Sequence, residues 1–181
     1  MSELPSRLHE RGVSKESVPE LISSLEELIA ENGYTVVEKD DARPWGAFLR
    51  LSADDADRFV EDFFPGLDPT EARRGIEDAE LSPKFLVVSP GQRLSWQFHD
   101  RRAERWCFLT DGAYRRSMDD EQGDRVTAEA GEVVQFETGE RHRLEGMSDS
   151  LVLVAEIWQH VDPEHPSDED DITRVQDDYQ R

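Results

Sequence analysis

Between Lys84 and Trp158 the chain breaks into short apolar stretches separated by glycine, and no other feature limits its fold as strongly. The stretches run Phe85 to Ser89, Leu94 to His99, Glu104 to Leu109, Gly112 to Met118, Arg125 to Ala128, Val133 to Phe136, His142 to Leu144 and Leu151 to Trp158. Gly91, Gly112, Gly123, Gly131, Gly139 and Gly146 fall between them or at their ends, where turns are needed. Many short strands at this spacing predict an all-β sandwich or barrel.

Several of these strands carry polar side chains of the kind that bind metals. Successive side chains of a strand alternate between its faces, so Ser95, Gln97 and His99 share one face and Leu94, Trp96 and Phe98 the other. A tight connection over Asp100 to Ala103 would return the chain with Glu104 beside them, and a distant strand at His142 could add a fourth ligand. The predicted set is Gln97, His99, Glu104 and His142. Two imidazoles, a carboxylate and an amide oxygen suit a borderline divalent ion, with Zn the first expectation and Mn, Fe, Co or Ni also compatible.

The spacing of these residues resembles the two signature motifs of the cupin superfamily. The first is a glycine, five residues, His-x-His, three or four residues and Glu; Gly91, His99 and Glu104 fit it, with Gln97 where the first histidine usually stands. The second is a glycine, five residues, Pro-x-Gly, two residues and His; Gly131, Gly139 and His142 fit it, with Glu137 in place of the proline. A closer likeness is to the cupin domain of type II mannose-6-phosphate isomerases. It rests on Leu94 to His99, Arg102 to Trp106, Arg141 to Glu145, Arg43-Pro44-Trp45-Gly46 and the tail from Glu169 to Tyr179, and covers roughly residues 43 to 181.

The resemblance implies a double-stranded β-helix, or jelly roll, with N-terminal helical additions. It also implies a metal-dependent aldose–ketose isomerase of sugar phosphates, with mannose 6-phosphate as the first expected substrate and a seven-carbon sugar phosphate as the second. A non-catalytic sugar-binding cupin and an iron-dependent oxygenase are the alternatives. An isomerase needs cations for the phosphate: Lys84 resembles a lysine of the isomerase cupin, Arg174 sits in the matching tail motif, and Arg43 comes next. Ser95, on the ligand face, could hold phosphate or a sugar hydroxyl. Glu156 interrupts the apolar run Leu151 to Trp158 and is the candidate base, unless it pairs with an arginine; Glu137 is a second candidate. Arg143 should lie outside the barrel, and His160 and His165 read as loop residues.

The N-terminal part is predicted as an arm and helix over residues 1–42, followed by the cupin domain over 43–181. Residues 1 to 16 show no clear periodicity and are expected to form a flexible or loosely docked arm. Leu21, Ile22, Leu25, Leu28 and Ile29 then mark one face of a helix from Ser17 to Asn32-Gly33. Tyr34 to Glu38 reads as a strand, and Arg43 to Gly46 as a turn into Ala47 to Leu51. Residues 53–81 look like a helical insertion: Ser52 caps a helix reaching Phe64, and a second helix is predicted from Thr70 to Asp78.

Composition narrows the partners. With 42 acidic residues against 21 basic ones, the chain carries a formal charge of −21, which repels nucleic acid and anionic membranes. Only Lys15, Lys39 and Lys84 of the basic residues are lysines, and an acidic, lysine-poor surface reads as adaptation to high salt. The one cysteine, Cys107, lies between Trp106 and Phe108 and should be a buried structural thiol. No apolar stretch approaches the length of a membrane span, and the polar start is unlike a signal peptide, so a soluble cytoplasmic protein is expected. A sugar phosphate is the expected ligand, and a homodimer through edge strands or the helix at 17–32 the expected assembly.

Overall fold

Every residue of β3 (Lys84–Val88) and of β10 (Val152–His160) is buried, so both faces of these strands must be covered. A computed structural model of the chain, describing residues 3–13 and 16–180, shows how. The first sheet has six strands in the order β1 (Val36–Arg43), β2 (Gly46–Leu51), β3, β10, β5 (Arg102–Phe108), β8 (Val133–Phe136). The second has five: β11 (Thr173–Gln176), β4 (Trp96–Phe98), β9 (Arg141–Glu145), β6 (Gly112–Ser117), β7 (Val126–Ala128). All pairings are antiparallel, and the chain passes repeatedly from one sheet to the other, as a jelly roll requires.

The alternation of β3, β5 and β10 separates two apolar cores. Leu86, Val88, Trp106, Phe108, Val152 and Val154 point between the sheets, where they meet Phe136 and Leu144. Phe85, Val87, Cys107, Leu153, Ala155 and Ile157 point outward into a second cluster roofed by helices. In that roof Phe59 and Phe63 of α3 (Ala56–Phe63) pack on Phe85 with ring centroids 5.3 and 5.2 Å apart. The predicted stripe of α2 (Val18–Glu31) is buried there as well. Glu20 turns back to accept hydrogen bonds from Ser17 N (3.0 Å) and Ser17 Oγ (2.6 Å), which stops the helix from unravelling at its start.

The N-terminal arm is a correction to the sequence reading. Leu4–Gly12 forms a helix, α1, whose Leu4 and Leu8 are fully buried one turn apart. Gly12 continues that face, and a Cβ there would lie 2.5 Å from Thr110 Cγ2, so glycine permits the close approach to the sheet. Met1, Ser2, Ser14 and Lys15 of the expected arm lie outside the described residues. The strand expected at Tyr34 to Glu38 begins later and runs longer, as β1, and its hairpin with β2 spans the expected boundary at residue 43.

The insertion contains α3 and α4 (Pro69–Ala72), and the helix predicted to continue to Asp78 stops at Ala72. Arg74 and Gly75 adopt φ of 53° and 74°, in the left-handed region, and Arg73 Nε donates to Ala79 O at 3.1 Å, folding the segment back on itself. The acidic tail is anchored: β11 pairs with β4 at the edge of the second sheet.

Candidate metal centre

The inward faces of three neighbouring strands change character along their length. β3 runs Val88, Leu86, Lys84; β10 runs Val152, Val154, Glu156, Trp158, His160; β5 runs Phe108, Trp106, Glu104, Arg102. The register aligns the polar ends, with Glu156 opposite both Lys84 and Trp106, Trp158 opposite Glu104, and His160 opposite Arg102. From the other sheet Gln97 pairs with His142 on one side and Arg174 on the other. One end of the barrel interior is therefore apolar, and the other gathers ionisable groups.

His99, Glu104 and His142 are buried there, and one ligand atom from each lies within 4.8 Å of the others. His99 Nε2 is 3.0 Å from Glu104 Oε1, and His142 Nε2 is 3.2 Å from Glu104 Oε2. The Nδ1 atoms face carbonyls, His99 toward Asp171 O at 2.6 Å and His142 toward Glu140 O at 2.9 Å. A carbonyl can only accept, so each Nδ1 carries a proton and each Nε2, turned to the carboxylate, is the atom left to bind an ion. Two such nitrogens and an anion gathered in one buried space suit a cation among them. His142 Nε2 is buried without a hydrogen-bond partner among the described residues. Atoms about 2.1 Å from one ion lie roughly 3 Å apart, which matches the observed spacings. The donor set therefore fits a divalent ion, with the outer carbonyls orienting both imidazoles.

Electrostatics favour the metal-binding protonation states. Burial pulls His99 below its ordinary pKa against the attraction of Glu104, keeping the ring neutral. Burial alone would raise Glu104, but the adjoining His99 and His142 rings and the Arg102 guanidinium outweigh it and hold the carboxyl well below its usual range. Gln97 lies beside the trio through its pairing with His142, and its Oε1 accepts from Ser95 Oγ at 2.5 Å.

A cavity of about 110 Å³ opens on this end and is lined by Arg43, Lys84, Ser95, Gln97, Glu104, Glu156 and Arg174, among others. Seven residues singled out from the sequence thus meet in one space. Lys84 is buried, with Nζ 4.1 Å from the Trp158 ring centroid and 5.6 Å from that of Phe48, and donates to Glu169 Oε1 at 2.7 Å. Arg43 pairs with Asp40 at 2.7 Å on the rim. Arg174 is exposed and forms no ion pair with any described residue.

Glu156 is fully enclosed, but the arginine pairing expected for it is absent among the described residues. Its carboxylate instead accepts from two indoles, Trp106 Nε1 at 2.9 Å and Trp158 Nε1 at 3.1 Å. Burial, reinforced by the nearby charge of Glu104, pushes its pKa up to about 7. Glu137 lies apart, its carboxylate bound by Arg74 at 3.0 and 3.2 Å on the surface.

Three further differences concern residues around the site. His160 is the last residue of β10 rather than a loop residue; its Nε2 contacts Glu80 O at 2.5 Å, and Nδ1 accepts from Ser167 N at 2.9 Å. Arg143 does face away from the barrel but is buried, donating to Gln122 Oε1 and Gln176 O. Arg102 is a site residue that sequence reasoning missed. Its guanidinium stacks on Trp158 at 3.6 Å, donates from Nε to Glu104 Oε1 at 3.0 Å, and from Nη1 to Ser167 Oγ and Asp168 O. It stands two residues before Glu104, hence on the same face, and strand alternation carries that signal.

Residues 72–177 match the family described as mannose-6-phosphate isomerase C-terminal. No curated protein matches the chain. Among solved structures, the capsular polysaccharide assembling protein CapF from Staphylococcus aureus aligns with a TM-score of 0.51 and 12% identity, over 96% of this chain and 45% of CapF. Oxalate decarboxylase from Bacillus subtilis aligns at 0.49 and 12% identity, over 74% and 28%. A Cupin 2 conserved barrel domain protein from Salinispora arenicola aligns at 0.45 and 18% identity, over 68% and 82%. The chain spans less than half the length of CapF. With the family match, the CapF likeness identifies the fold as a cupin jelly roll.

Proposed function

The chain belongs to the mannose-6-phosphate isomerase C-terminal family of cupins, and we propose that it is a metal-dependent aldose–ketose isomerase of sugar phosphates. The observation that carries this reading is the shared cavity, which has potential metal ligands, cations and a carboxyl group with a pKa of about 7 in its walls. Mannose 6-phosphate is the first expected substrate, and a seven-carbon sugar phosphate the second.

In this reading His99, Glu104 and His142 would hold a divalent ion, Zn by first choice, with the Gln97 amide oxygen as a further ligand. When bound, the ion supplies positive charge against the negative charge that develops on the sugar oxygens. Lys84, Arg43 and Arg174 hold the phosphate, and Ser95 a sugar hydroxyl or a phosphate oxygen. Their local charge matters more than the overall −21, because distant charges are screened beyond roughly 8 Å at physiological salt. Glu156, ionised, takes the proton from the carbon beside the carbonyl and returns it to the neighbouring carbon, while the hydroxyl proton passes from one sugar oxygen to the former carbonyl oxygen. A carboxyl with a pKa near the working pH suits both halves of that exchange. The indole N–H groups of Trp106 and Trp158 fix the direction in which the carboxylate points.

A coupled assay of the protein loaded in turn with Zn, Mn, Co and Ni tests the reading. Conversion of mannose 6-phosphate or a seven-carbon sugar phosphate is expected; failure with every metal on both substrates rules out the isomerase.

A further inference from the structure

Lys84 is one of the few buried cations of the barrel, and the tail supplies its counter-charge. Only 7% of its side chain is exposed, between the rings of Phe48 and Trp158, and its one ion pair among the described residues is with Glu169, 2.7 Å away and 66% exposed. A lysine this buried needs a negative partner whether or not a ligand is present.

The tail on either side of Glu169 is fastened independently of that contact. Asp168 Oδ1 accepts from Arg101 Nη2 and from the backbone of Asp170 and Asp171. The Asp171 carboxylate accepts from Asp100 N, Arg101 N and Ser167 Oγ. The Glu169 side chain can therefore swing into solvent without loosening the segment that carries it. Among the described residues its carboxylate has one partner to lose, and that partner lines the cavity.

We propose that Glu169 is an internal stand-in for the substrate's phosphate: its carboxylate neutralises Lys84 in the empty site, and an arriving phosphate displaces it. This rests on the assignment of Lys84 to the phosphate in the isomerase reading. The exchange lowers the affinity for any anion at Lys84 and favours a dianion, which more than replaces the single charge that leaves. Glu169 is thus a residue that sets specificity by competition and makes no contact with the reacting carbons.

The test is calorimetric titration of inorganic phosphate into the metal-loaded full chain. Glu169→Gln keeps the shape of the side chain and removes its charge, and is expected to bind phosphate about threefold to tenfold more tightly than the wild type. Asp149→Asn removes one exposed acid elsewhere and is expected to stay within about twofold of the wild type. The gain should vanish when Lys84→Met is added, which separates binding at Lys84 from binding at the metal. Equal affinities of Glu169→Gln and wild type, an equal gain in Asp149→Asn, a gain that survives Lys84→Met, or no phosphate binding by Glu169→Gln would each overturn the proposal. Turnover in the coupled assay is a separate result: if it persists while the phosphate test fails, the isomerase reading stands and the stand-in role falls.

Discussion

The two faces of the central strands β3, β5 and β10 are both covered and built for different ends. The outer face is apolar from Phe85 to Val87 and from Leu153 through Ala155 to Ile157, and α1, α2 and α3 close over it. The inner face begins the same way, with Val88, Val152 and Phe108, but ends in Lys84, Glu156, Trp158, Glu104 and Arg102. Burying hydrocarbon stabilises the fold with little geometric demand. Burying charge does so only when every group has a partner, and often no better than hydrocarbon would. The outer face therefore holds the barrel together, while the inner end accepts a cost in stability to concentrate charge around a small cavity.

Removing a metal ligand should separate the two most sharply. His142→Ala or His99→Ala is expected to abolish metal content and turnover while leaving the outer core intact; elemental analysis and the coupled assay measure the loss. Full metal content in both variants would mean that the centre lies elsewhere. On the outer face, Phe85→Ala should cost about 3–5 kcal/mol of stability by opening a cavity beneath Phe59 and Phe63. Urea denaturation checks this, and metal bound per folded molecule should not change. A large loss of metal affinity in folded Phe85→Ala protein would show that the two faces are coupled.

Glu156→Gln probes the inner face alone. As the proton-transferring group, its loss should lower turnover about 10²-fold or more. Its effect on stability depends on pH, because its pKa is about 7 when folded against an ordinary 4.5. Below 4.5 both states are protonated and the folded state suffers no penalty. Between 4.5 and about 7 the unfolded chain releases the proton while the folded chain keeps it, so this residue's contribution to stability is lost as pH rises. The full loss is on the order of 3 kcal/mol. Glutamine does not titrate, so Glu156→Gln should gain stability relative to wild type between about pH 5 and pH 8; a constant difference between the two would refute the raised pKa.

Strand alternation makes much of this arrangement legible. Gln97 and His99 share a face by alternation, and the cupin likeness adds Glu104 and His142 to them and singles out Lys84. Contacts between residues far apart in the chain are not legible. Glu156 could be expected to meet an arginine, and the register places Trp106 opposite it instead. Lys84 and Glu169 are 85 residues apart, and the acidic run Asp168 to Asp171, taken alone, looks solvated; the family likeness implies that the tail returns to the site, and its ties to Arg101 and Arg102 emerge only in the fold. The first helix is hidden in the sequence because Leu4 and Leu8 are too few to set a period. The second helix of the insertion reads as too long because its end depends on Arg73 folding back to Ala79.

The smallest expected effect sharpens the comparison from the surface. Glu137 and Glu156 are both candidate carboxylate bases in the sequence, and composition alone does not distinguish them. Glu156 is enclosed by indoles; the Glu137 side chain is 55% exposed and held by Arg74 from the insertion. An exposed ion pair of this kind contributes about 1 kcal/mol or less, because water and salt screen it and two long side chains must be ordered to make it. Glu137→Gln should therefore lower stability by no more than that and keep turnover within about twofold of wild type, with any loss shrinking in high salt. Urea midpoints at low and molar salt, together with the coupled assay, measure both quantities. A drop in turnover comparable to that of Glu156→Gln would move the proton-transferring group from the buried end of β10 to the barrel rim, and the division between a stabilising outer face and a reactive inner end would then have to be redrawn around the loop that follows β8.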